Sequence, residues 1–394
     1  MIKLLIGGSP CTYWSIAQKN NRETKAEGLG WELFKNYLIA KEKFKPDFFL
    51  YENNKSASKA IKDQIKQELK VWDGSLFMEN TGTRYIEINS ALVSAQNRQR
   101  FYVHNCGEVN QPEDRGILLR DILESGVGQK TGIETDGNAP IRVGEIEKGG
   151  QGYRIYSIDG KSIAQTAKSG GMGSNTGLYA IQAENVGECE SIQNALPKLV
   201  GKYGYIPEQF NAYNLAELKD KSPTLSTGSM VTSSCATTRF EKSDKPIYEV
   251  KDGVITIRDK KYPTKLADGY YIIRKLTVKE CCRLQTMPDN YCKAVSDSQA
   301  YKGLGNGWTA EVIIHILNGA LKDVPRDEEI VVLSMYDGIG TGRYCLDKMG
   351  FTNVKYYAYE IDKYAMTIAK DNYPDIIECG DAFQVRNEDW KLTE

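Results

Sequence analysis

The residues best suited to chemistry lie near the N-terminus of this chain. A short apolar segment runs into a glycine turn that ends in Pro10 and Cys11. A cysteine on a rigid loop is a candidate nucleophile, because a thiolate can form a covalent intermediate with an electrophilic substrate. A thiol that works at neutral pH needs a positive neighbour, and a Gln-x-Arg-x-Arg sequence offers Arg98 and Arg100. A carboxyl group, Glu52, follows the next apolar segment and completes a set suited to nucleophilic and acid–base chemistry.

A second set of residues lies at the C-terminal end. A predicted strand, Ile330–Met335, breaks at a glycine-rich turn over 337–342, and Glu360 ends the strand that follows. Such a turn lets the backbone approach a ligand, and the helix N-terminus adds partial positive charge. Glu360 is placed to bind ribose hydroxyls, and Asp381, after a third strand, can accept a hydrogen bond from an adenine amino group. Taken alone, these features fit NAD, FAD or S-adenosylmethionine equally well.

Alternating strands and helices must position both sets. In the first hundred residues Ile61, Ile65 and Leu69 recur at helical spacing between predicted strands. Strands alternating with helices imply a largely parallel sheet that is covered on both faces. The predicted strands there are 2–6, 48–51, 84–88 and 101–104.

The middle of the chain differs in amino-acid composition from the two ends. From about 105 to 270 it is rich in Gly, Ser, Thr and Asn, and the stretches 156–167 and 221–228 resemble each other. They indicate either hairpins of an irregular β domain or loops that reach into a groove. Helices return with a capping-box pattern at 277–280 and with the apolar segment Ala310–Leu321. The predicted organisation is 1–104 and 271–322 for the catalytic domain, 105–270 for a β-rich domain, 323–329 for a charged linker and 330–394 for a cofactor-binding unit.

Composition narrows the class of protein without naming a function. The chain has 394 residues, 41% of them apolar, a net charge of -1 and nine cysteines that are mostly dispersed. No apolar run approaches the ~20 residues that span a bilayer, and the cysteine pattern predicts neither a disulfide framework nor a metal site. We therefore expect a reduced, cytoplasmic protein without a signal peptide. Cys281, Cys282 and His315 are interpreted as packing residues.

The ordered set of motifs resembles the DNA (cytosine-5)-methyltransferase family. The matching segments are 8–11, 52–53, 96–100, 274–288, 305–308 and 336–342, with Glu360 and Asp381. Asp-Gly-Ile-x-Thr-Gly, with the tryptophan of the turn at 305–308, is most similar to the eukaryotic de novo branch and its bacterial and phage relatives. Two departures, Thr12 and Asn54, lie outside the residues that the chemistry requires. The cofactor unit normally comes first in this family, so the resemblance implies a circular permutation joined at the linker.

The resemblance implies a doubly wound α/β fold of the S-adenosylmethionine-dependent methyltransferase (Rossmann-like) type, circularly permuted, with a β-rich target-recognition domain. The implied reaction moves a methyl group from S-adenosylmethionine to carbon 5 of a flipped-out cytosine in a specific DNA sequence, leaving S-adenosylhomocysteine. The implied catalytic residues are Pro10, Cys11, Glu52, Arg98 and Arg100. The implied cofactor residues are Asn306, Trp308, Tyr336, Asp337, Gly338, Ile339, Gly340, Thr341, Gly342, Glu360, Ile361, Asp381 and Ala382. The candidate DNA contacts are Ser9, Arg154, Lys161, Lys221 and Arg239.

In this interpretation the partner is double-stranded DNA, with no metal and no membrane, in a bacterial or phage-infected cell. A cognate restriction endonuclease is a further candidate partner. Two alternatives remain open. One is an RNA cytosine-5 methyltransferase on the same scaffold, which the large middle domain disfavours. The other is a catalytically inactive DNA-binding or regulatory homologue, which the intact Cys11, Glu52 and Arg100 disfavour.

Overall fold

The computed structural model describes residues 1–15, 22–72, 74, 80–124, 137–147, 150–167, 172–182, 190–207, 210–211, 215–217, 247–257 and 260–390. The helices are α1 (Leu29–Phe44), α2 (Lys59–Glu68), α3 (Glu190–Tyr203), α4 (Val278–Leu284), α5 (Asp297–Asn306), α6 (Ala310–Leu321), α7 (Thr341–Lys348) and α8 (Lys363–Asn372). The strands are β1 (Ile2–Gly7), β2 (Phe48–Asn54), β3 (Arg84–Asn89), β4 (Gln96–Asn97), β5 (Gln99–His104), β6 (Arg142–Glu145), β7 (Arg154–Ser157), β8 (Ser162–Ile163), β9 (Leu178–Gln182), β10 (Phe210–Asn211), β11 (Ala216–Glu217), β12 (Ile247–Lys251), β13 (Val254–Ile257), β14 (Lys260–Pro263), β15 (Gly269–Arg274), β16 (Ile330–Met335), β17 (Val354–Tyr359) and β18 (Ile377–Gly380).

One seven-stranded sheet joins the two ends of the chain. Its order is β18–β17–β16–β1–β2–β5–β3, and only β5 runs against its neighbours. The first strand, β1, lies between β16 and β2, so Leu5 pairs with Leu333 on one side and with Phe49 on the other. The carboxyl ends of the parallel strands therefore meet along a single edge. That edge brings the N-terminal and C-terminal motifs together.

Helices cover both faces of this sheet. Side chains of β1 alternate between two cores, with Leu4 packed on the side of α6 and α7 and Leu5 on the side of α1 and α2. Continuous apolar strands are expected where a parallel sheet is buried on both faces. The predicted α/β class is confirmed, and the predicted strands and C-terminal unit form within a few residues of their expected bounds. Helix α1 was not predicted, although Trp31, Phe34 and Tyr37 recur on its buried face.

A second seven-stranded sheet forms the β-rich domain. Its order is β14–β13–β12–β15–β9–β7–β6, antiparallel except between β7 and β9. An antiparallel bridge between Gly144 and Thr264 brings the two edge strands together. Strand β15 carries this sheet to Arg274, four residues beyond the expected boundary at 270. The stretch 221–228 lies outside the described residues.

Short contacts join the two sheets. Strand β4 of the catalytic region pairs with β8 of the β-rich domain, where Gln96 lies opposite Ser162. At the return to the catalytic domain, Glu280 accepts hydrogen bonds from the Thr277 amide at 2.9 Å and from Arg274 Nη2 at 2.6 Å. The capping box predicted at 277–280 is thus confirmed, and its glutamate also fastens α4 to the end of β15. No helix in the described part of the chain is long and apolar enough to cross a membrane.

Candidate active site

A cavity of about 480 Å³ opens at the carboxyl edge of the first sheet. Residues from the loop after β1, from β2 and from the turns after β16, β17 and β18 all line it. Both predicted sets of residues therefore face one space. The predicted residues that line the cavity are Ser9, Pro10, Cys11, Glu52, Arg98, Arg100, Asn306, Trp308, Tyr336, Asp337, Gly338, Ile339, Thr341, Glu360, Ile361, Asp381 and Ala382.

The loop that carries Cys11 is held by the neighbouring strand. Cys11 begins a single 3-10 turn directly after Pro10 and is partly exposed as a free thiol. Ser9 Oγ lies 2.8 Å from the Tyr51 hydroxyl, and Asn53 Nδ2 donates to the Ser9 carbonyl at 2.9 Å. Because Tyr51 and Asn53 are themselves fully buried, these bonds fix the loop relative to β2. The thiol is therefore presented to the cavity from a rigid base.

Glu52 is clamped by donors on both carboxylate oxygens. Arg100 Nε lies 2.9 Å from Oε1, and Trp308 Nε1 donates to Oε2 at 3.1 Å. The absence of a side chain at Gly8 makes room for this group, since a Cβ there would lie 3.0 Å from Oε2 and 2.5 Å from the Glu52 carbonyl oxygen. Glu52 is only 9% exposed. A carboxyl group held in one plane beside a cation is suited to hydrogen bonding and proton sharing with a ring nitrogen.

Arg98 holds the backbone on one side of the cavity that it lines. Its guanidinium donates to three backbone carbonyls, those of Gln165 at 3.2 Å, Gly305 at 3.2 Å and Gly307 at 2.8 Å. Burial and the neighbouring Arg100 lower the pKa of Arg98 to about 10, so it remains a cation at neutral pH. With its donors committed to the backbone, Arg98 positions the turn after α5 and the β-rich domain. Arg98 also lines the cavity, and its catalytic role stays a prediction.

The glycine-rich turn after β16 is built around Glu360. Glu360 Oε2 accepts the Gly338 amide at 2.8 Å, while Oε1 accepts the amides of Ile361 and Asp362, each at 2.8 Å. Gly338 has φ +66°, which glycine adopts without strain. Tyr336 has φ +62° and donates its hydroxyl to the Leu33 carbonyl at 2.7 Å. A non-glycine residue in this conformation stores strain of the kind that collects at ligand sites.

Other residues of the turn serve packing. Asp337 accepts hydrogen bonds from the Ser334 and Tyr356 hydroxyls, each at 2.6 Å, and desolvation raises its pKa to about 6. Gly340 and Gly342 were predicted to contact the cofactor, but neither lines the cavity. Gly340 adopts φ +78° where α7 begins, and a Cβ on Gly342 would lie 2.2 Å from Ile6 Cδ1. Gly342 thus lets α7 approach the sheet, whereas Gly340 lies against Ala369 of α8.

The mouth of the cavity is apolar. Ile361 is 72% exposed, Leu29 47% and Tyr364 38%, and all three line it close to the acidic residues. Exposed apolar side chains beside a few polar groups are typical of a small-molecule site. Here carboxylate acceptors beside apolar side chains suit an adenosine, with Glu360 and Asp381 as acceptors. Leu29 and Tyr364 were missed, Leu29 because α1 itself was missed.

The predicted nucleic-acid contacts have different outcomes. Lys161 is fully buried, and Nζ donates to the carbonyls of Ala91 at 2.7 Å, Ser94 at 3.2 Å and Ile117 at 2.6 Å. It is therefore not available to a phosphate, and that prediction is wrong. Arg154 lies half-buried in β7, and its predicted contact with DNA stays a prediction. Lys221 and Arg239 lie outside the described residues.

Comparison with known proteins assigns the chain to a family. The model of the C-5 cytosine-specific DNA methylase family matches residues 1–322. The chain belongs to this family. Its members use S-adenosylmethionine as methyl donor. The match ends before β16, so the family model does not cover residues 330–394, whose strand β16 pairs with β1.

Two solved structures match the chain at low identity. One is a mutant of DNMT2 from Spodoptera frugiperda, with 15% identity, a TM-score of 0.36 and coverage of 80% of this chain and 78% of that chain. The other is the Dnmt2 methyltransferase of S. pombe, with 15% identity, a TM-score of 0.37 and the same coverage, 80% of this chain and 78% of that chain. A search of curated proteins finds no match to the sequence. Within the described ranges, no group of three or more His, Cys, Asp or Glu side chains could hold a metal ion.

Proposed function

We propose that the protein methylates carbon 5 of cytosine in DNA, with Cys11 as the covalent nucleophile. The observation that carries the proposal is the shared cavity. Cys11, Glu52 and Arg100 come from the β1–β2–β5 side of the sheet, and the glycine turn and Glu360 come from the β16–β17 side. The residues proposed as nucleophile, acid–base group and donor site thus lie along one sheet edge.

The chemistry follows from the residues on the nucleophile side. The Cys11 thiolate adds to carbon 6 of the cytosine ring, which makes carbon 5 nucleophilic. Charge that builds on ring nitrogen 3 is held by Glu52 through proton sharing, and charge on oxygen 2 is held by Arg100. S-adenosylmethionine, when bound, supplies the electrophilic methyl group. Loss of the carbon 5 proton and departure of the Cys11 sulfur restore the aromatic ring.

The residues on the opposite side fit the methyl donor. Glu360 keeps acceptor capacity for ribose hydroxyls beyond its three backbone donors, and Asp381 lies exposed at the mouth with a carboxylate that can accept from an adenine amino group. Ile361 and Leu29 offer apolar surface to the flat base. Asn306 and Thr341 line the same cavity.

We propose double-stranded DNA as the substrate and residues 105–270 as the target-recognition domain. A cytosine stacked in a duplex cannot reach a recessed thiol, so the base must be flipped out at a cost of a few kcal/mol. A separate sheet domain fastened beside the cavity through β4 and β8 provides a second surface for the duplex. Ser9, Arg154, Lys221 and Arg239 remain the candidate contacts.

We also propose that the chain is a circular permutation of its family. Two observations support this: the family match stops at residue 322, and the C-terminal strand β16 nevertheless pairs along all of β1. The linker then runs beside the start of β1, where the Ile2 amide donates to the Glu329 carbonyl at 2.8 Å. A rebuilt chain with 330–394 placed before residue 1 through a new connection should fold and methylate. A rebuilt chain that folds but binds no methyl donor would contradict the permutation.

The test of function is methyl transfer from labelled S-adenosylmethionine, run with unmethylated genomic DNA and with tRNA in parallel. The matched control is Cys11→Ala, which removes only the sulfur. Methylcytosine in DNA at one short sequence, found by bisulfite sequencing and absent with C11A, is the expected result. Transfer to tRNA alone would replace DNA with RNA as substrate. A folded protein that binds the donor and methylates neither would be an inactive homologue.

A further inference from the structure

The bond between Trp308 and Glu52 links two parts of the site that the sequence motifs treat as separate. Trp308 belongs to the turn after α5, which was predicted to contact the methyl donor, yet its indole Nε1 donates to the catalytic carboxylate at 3.1 Å. Arg100 holds the other carboxylate oxygen at 2.9 Å. Glu52 thus has one donor from its own sheet and one from a turn more than 250 positions away in sequence.

The turn that carries Trp308 is itself held firmly. Arg98 donates to the carbonyls of Gly305 and Gly307 on either side of Asn306. Gly305 is pressed against the β-rich domain so closely that a Cβ would lie 2.5 Å from the Thr166 carbonyl carbon. Directly after Trp308, the Thr309 hydroxyl donates to Gln285 Oε1 at 2.9 Å. The indole N–H therefore projects from a fixed backbone.

We propose that Trp308 is a positioning residue that acts on Glu52 through its N–H, independently of any contact with the methyl donor. The proposal rests on the proposed function. An indole N–H can only donate, so it holds one carboxylate oxygen while Arg100 holds the other, and together they fix the plane of the group. The terminal torsion of a glutamate is broad in the absence of such partners. With both oxygens held, the carboxyl plane is set before the base arrives, and the substrate does not have to reorient it.

A partial reaction separates this role from cofactor binding. When Cys11 adds to carbon 6, carbon 5 takes a proton from solvent; loss of the original hydrogen and of the sulfur then regenerates cytosine. DNA labelled with tritium at carbon 5 should consequently release tritium to water without any methyl donor. Glu52 takes part in this exchange, whereas the methyl donor does not.

The experiment compares wild type with Trp308→Phe, which keeps a half-buried aromatic ring and removes the N–H. We expect tritium exchange without donor to slow about tenfold, equivalent to about 1.4 kcal/mol, with the Kd for S-adenosylmethionine within twofold of wild type. The matched control is Trp390→Phe, whose ring packs edge-on against Phe44 and Tyr357. It should leave exchange unchanged, and thermal melts verify that each variant is folded.

The same substitution in the Glu52→Gln variant tests whether Trp308 acts through Glu52. In Glu52→Gln, the contact with Trp308 loses the carboxylate charge, so the penalty of W308F should shrink to about threefold or less. An active wild type whose exchange is unaffected by W308F would overturn the role of Trp308 alone. A tenfold penalty that persists undiminished in E52Q would also overturn that role. A wild type without exchange and without methyl transfer would overturn the proposed function as well.

Discussion

Lys161 can be tested as either a DNA contact or a buried structural residue, because the two roles predict different effects of its replacement. From sequence it was a DNA contact; in the structure its ammonium lies in a cage of three carbonyl oxygens and is fully buried. The informative change is Lys161→Met, which keeps an unbranched side chain only one atom shorter and removes the three N–H donors. Ala91 and Ser94 belong to the predicted catalytic domain, whereas Lys161 and Ile117 lie in the segment 105–270. The hydrogen bonds to Ala91 and Ser94 therefore join the start of β8 to the predicted catalytic domain.

The expected loss of unfolding free energy follows from the three carbonyl groups that lose their donor. Each buried carbonyl that loses its donor costs about 1–3 kcal/mol, and three lie around Nζ. Removing a buried cation returns part of its desolvation penalty, and methionine adds apolar contact. The net expectation is a loss of about 3 kcal/mol in the free energy of unfolding.

The assay is denaturant unfolding followed by circular dichroism, with Lys261→Met as the matched control. Lys261 is exposed on β14 of the same domain, so its replacement should change the unfolding free energy by no more than about 0.5 kcal/mol. The DNA affinity of folded K161M should keep its dependence on salt. The reasoning is refuted if K161M is as stable as wild type while the slope of log K against log salt falls by about 0.9, the signature of one lost phosphate contact.

Three further predictions concern the site and its support. Glu52→Gln should lower methyl transfer about 10²- to 10⁴-fold in a variant that circular dichroism shows to be folded, and an undiminished rate would remove Glu52 from the mechanism. Gly342→Ala should cost about 1–3 kcal/mol in unfolding experiments, because the new methyl group meets Ile6 and Tyr356; equal stability would mean that α7 can shift freely. The pKa of Asp337, raised by desolvation to about 6, means that the folded state binds this proton more tightly than the unfolded state, so its contribution to stability is present at low pH and is lost as pH rises through about 6. Between pH 7.5 and 4.5, wild type should therefore gain about 1–2 kcal/mol relative to Asp337→Asn, and parallel stability curves would contradict the shift.

Local signals explain what could be read from the sequence. The strand Ile330–Met335 was predicted to the residue because its apolar run ends at a turn that contains glycine and aspartate. The capping box at 277–280 was recognised because its two reciprocal bonds need only four residues. Cys11 and Glu52 were found because each follows a short apolar segment. All these features depend on neighbours in the chain.

The features that were missed depend on distant partners. No residue near Lys161 in sequence indicates that carbonyls of the segment 91–94 bind its ammonium. Likewise, no residue near Arg98 indicates that its guanidinium binds three carbonyls from two other segments. The contact between Trp308 and Glu52 likewise exists only once the sheet has formed. Helix α1 is a different case. Its aromatic residues recur at helical spacing and could have predicted it, but the glycines at its N-terminus are not typical of a helix start.

The pairing of β1 with β16 has a consequence for biosynthesis. Ile2 leaves the ribosome more than three hundred residues before Ile330, its partner on one side. At about 5–20 residues per second, the interval is on the order of 20–60 s. Through that time the strand at the centre of the finished sheet has an open edge, available to any other unpaired strand. The strand that leads to the nucleophile is thus made long before its sheet is complete, so the nascent chain must be kept from aggregating until residues 330–394 have been made.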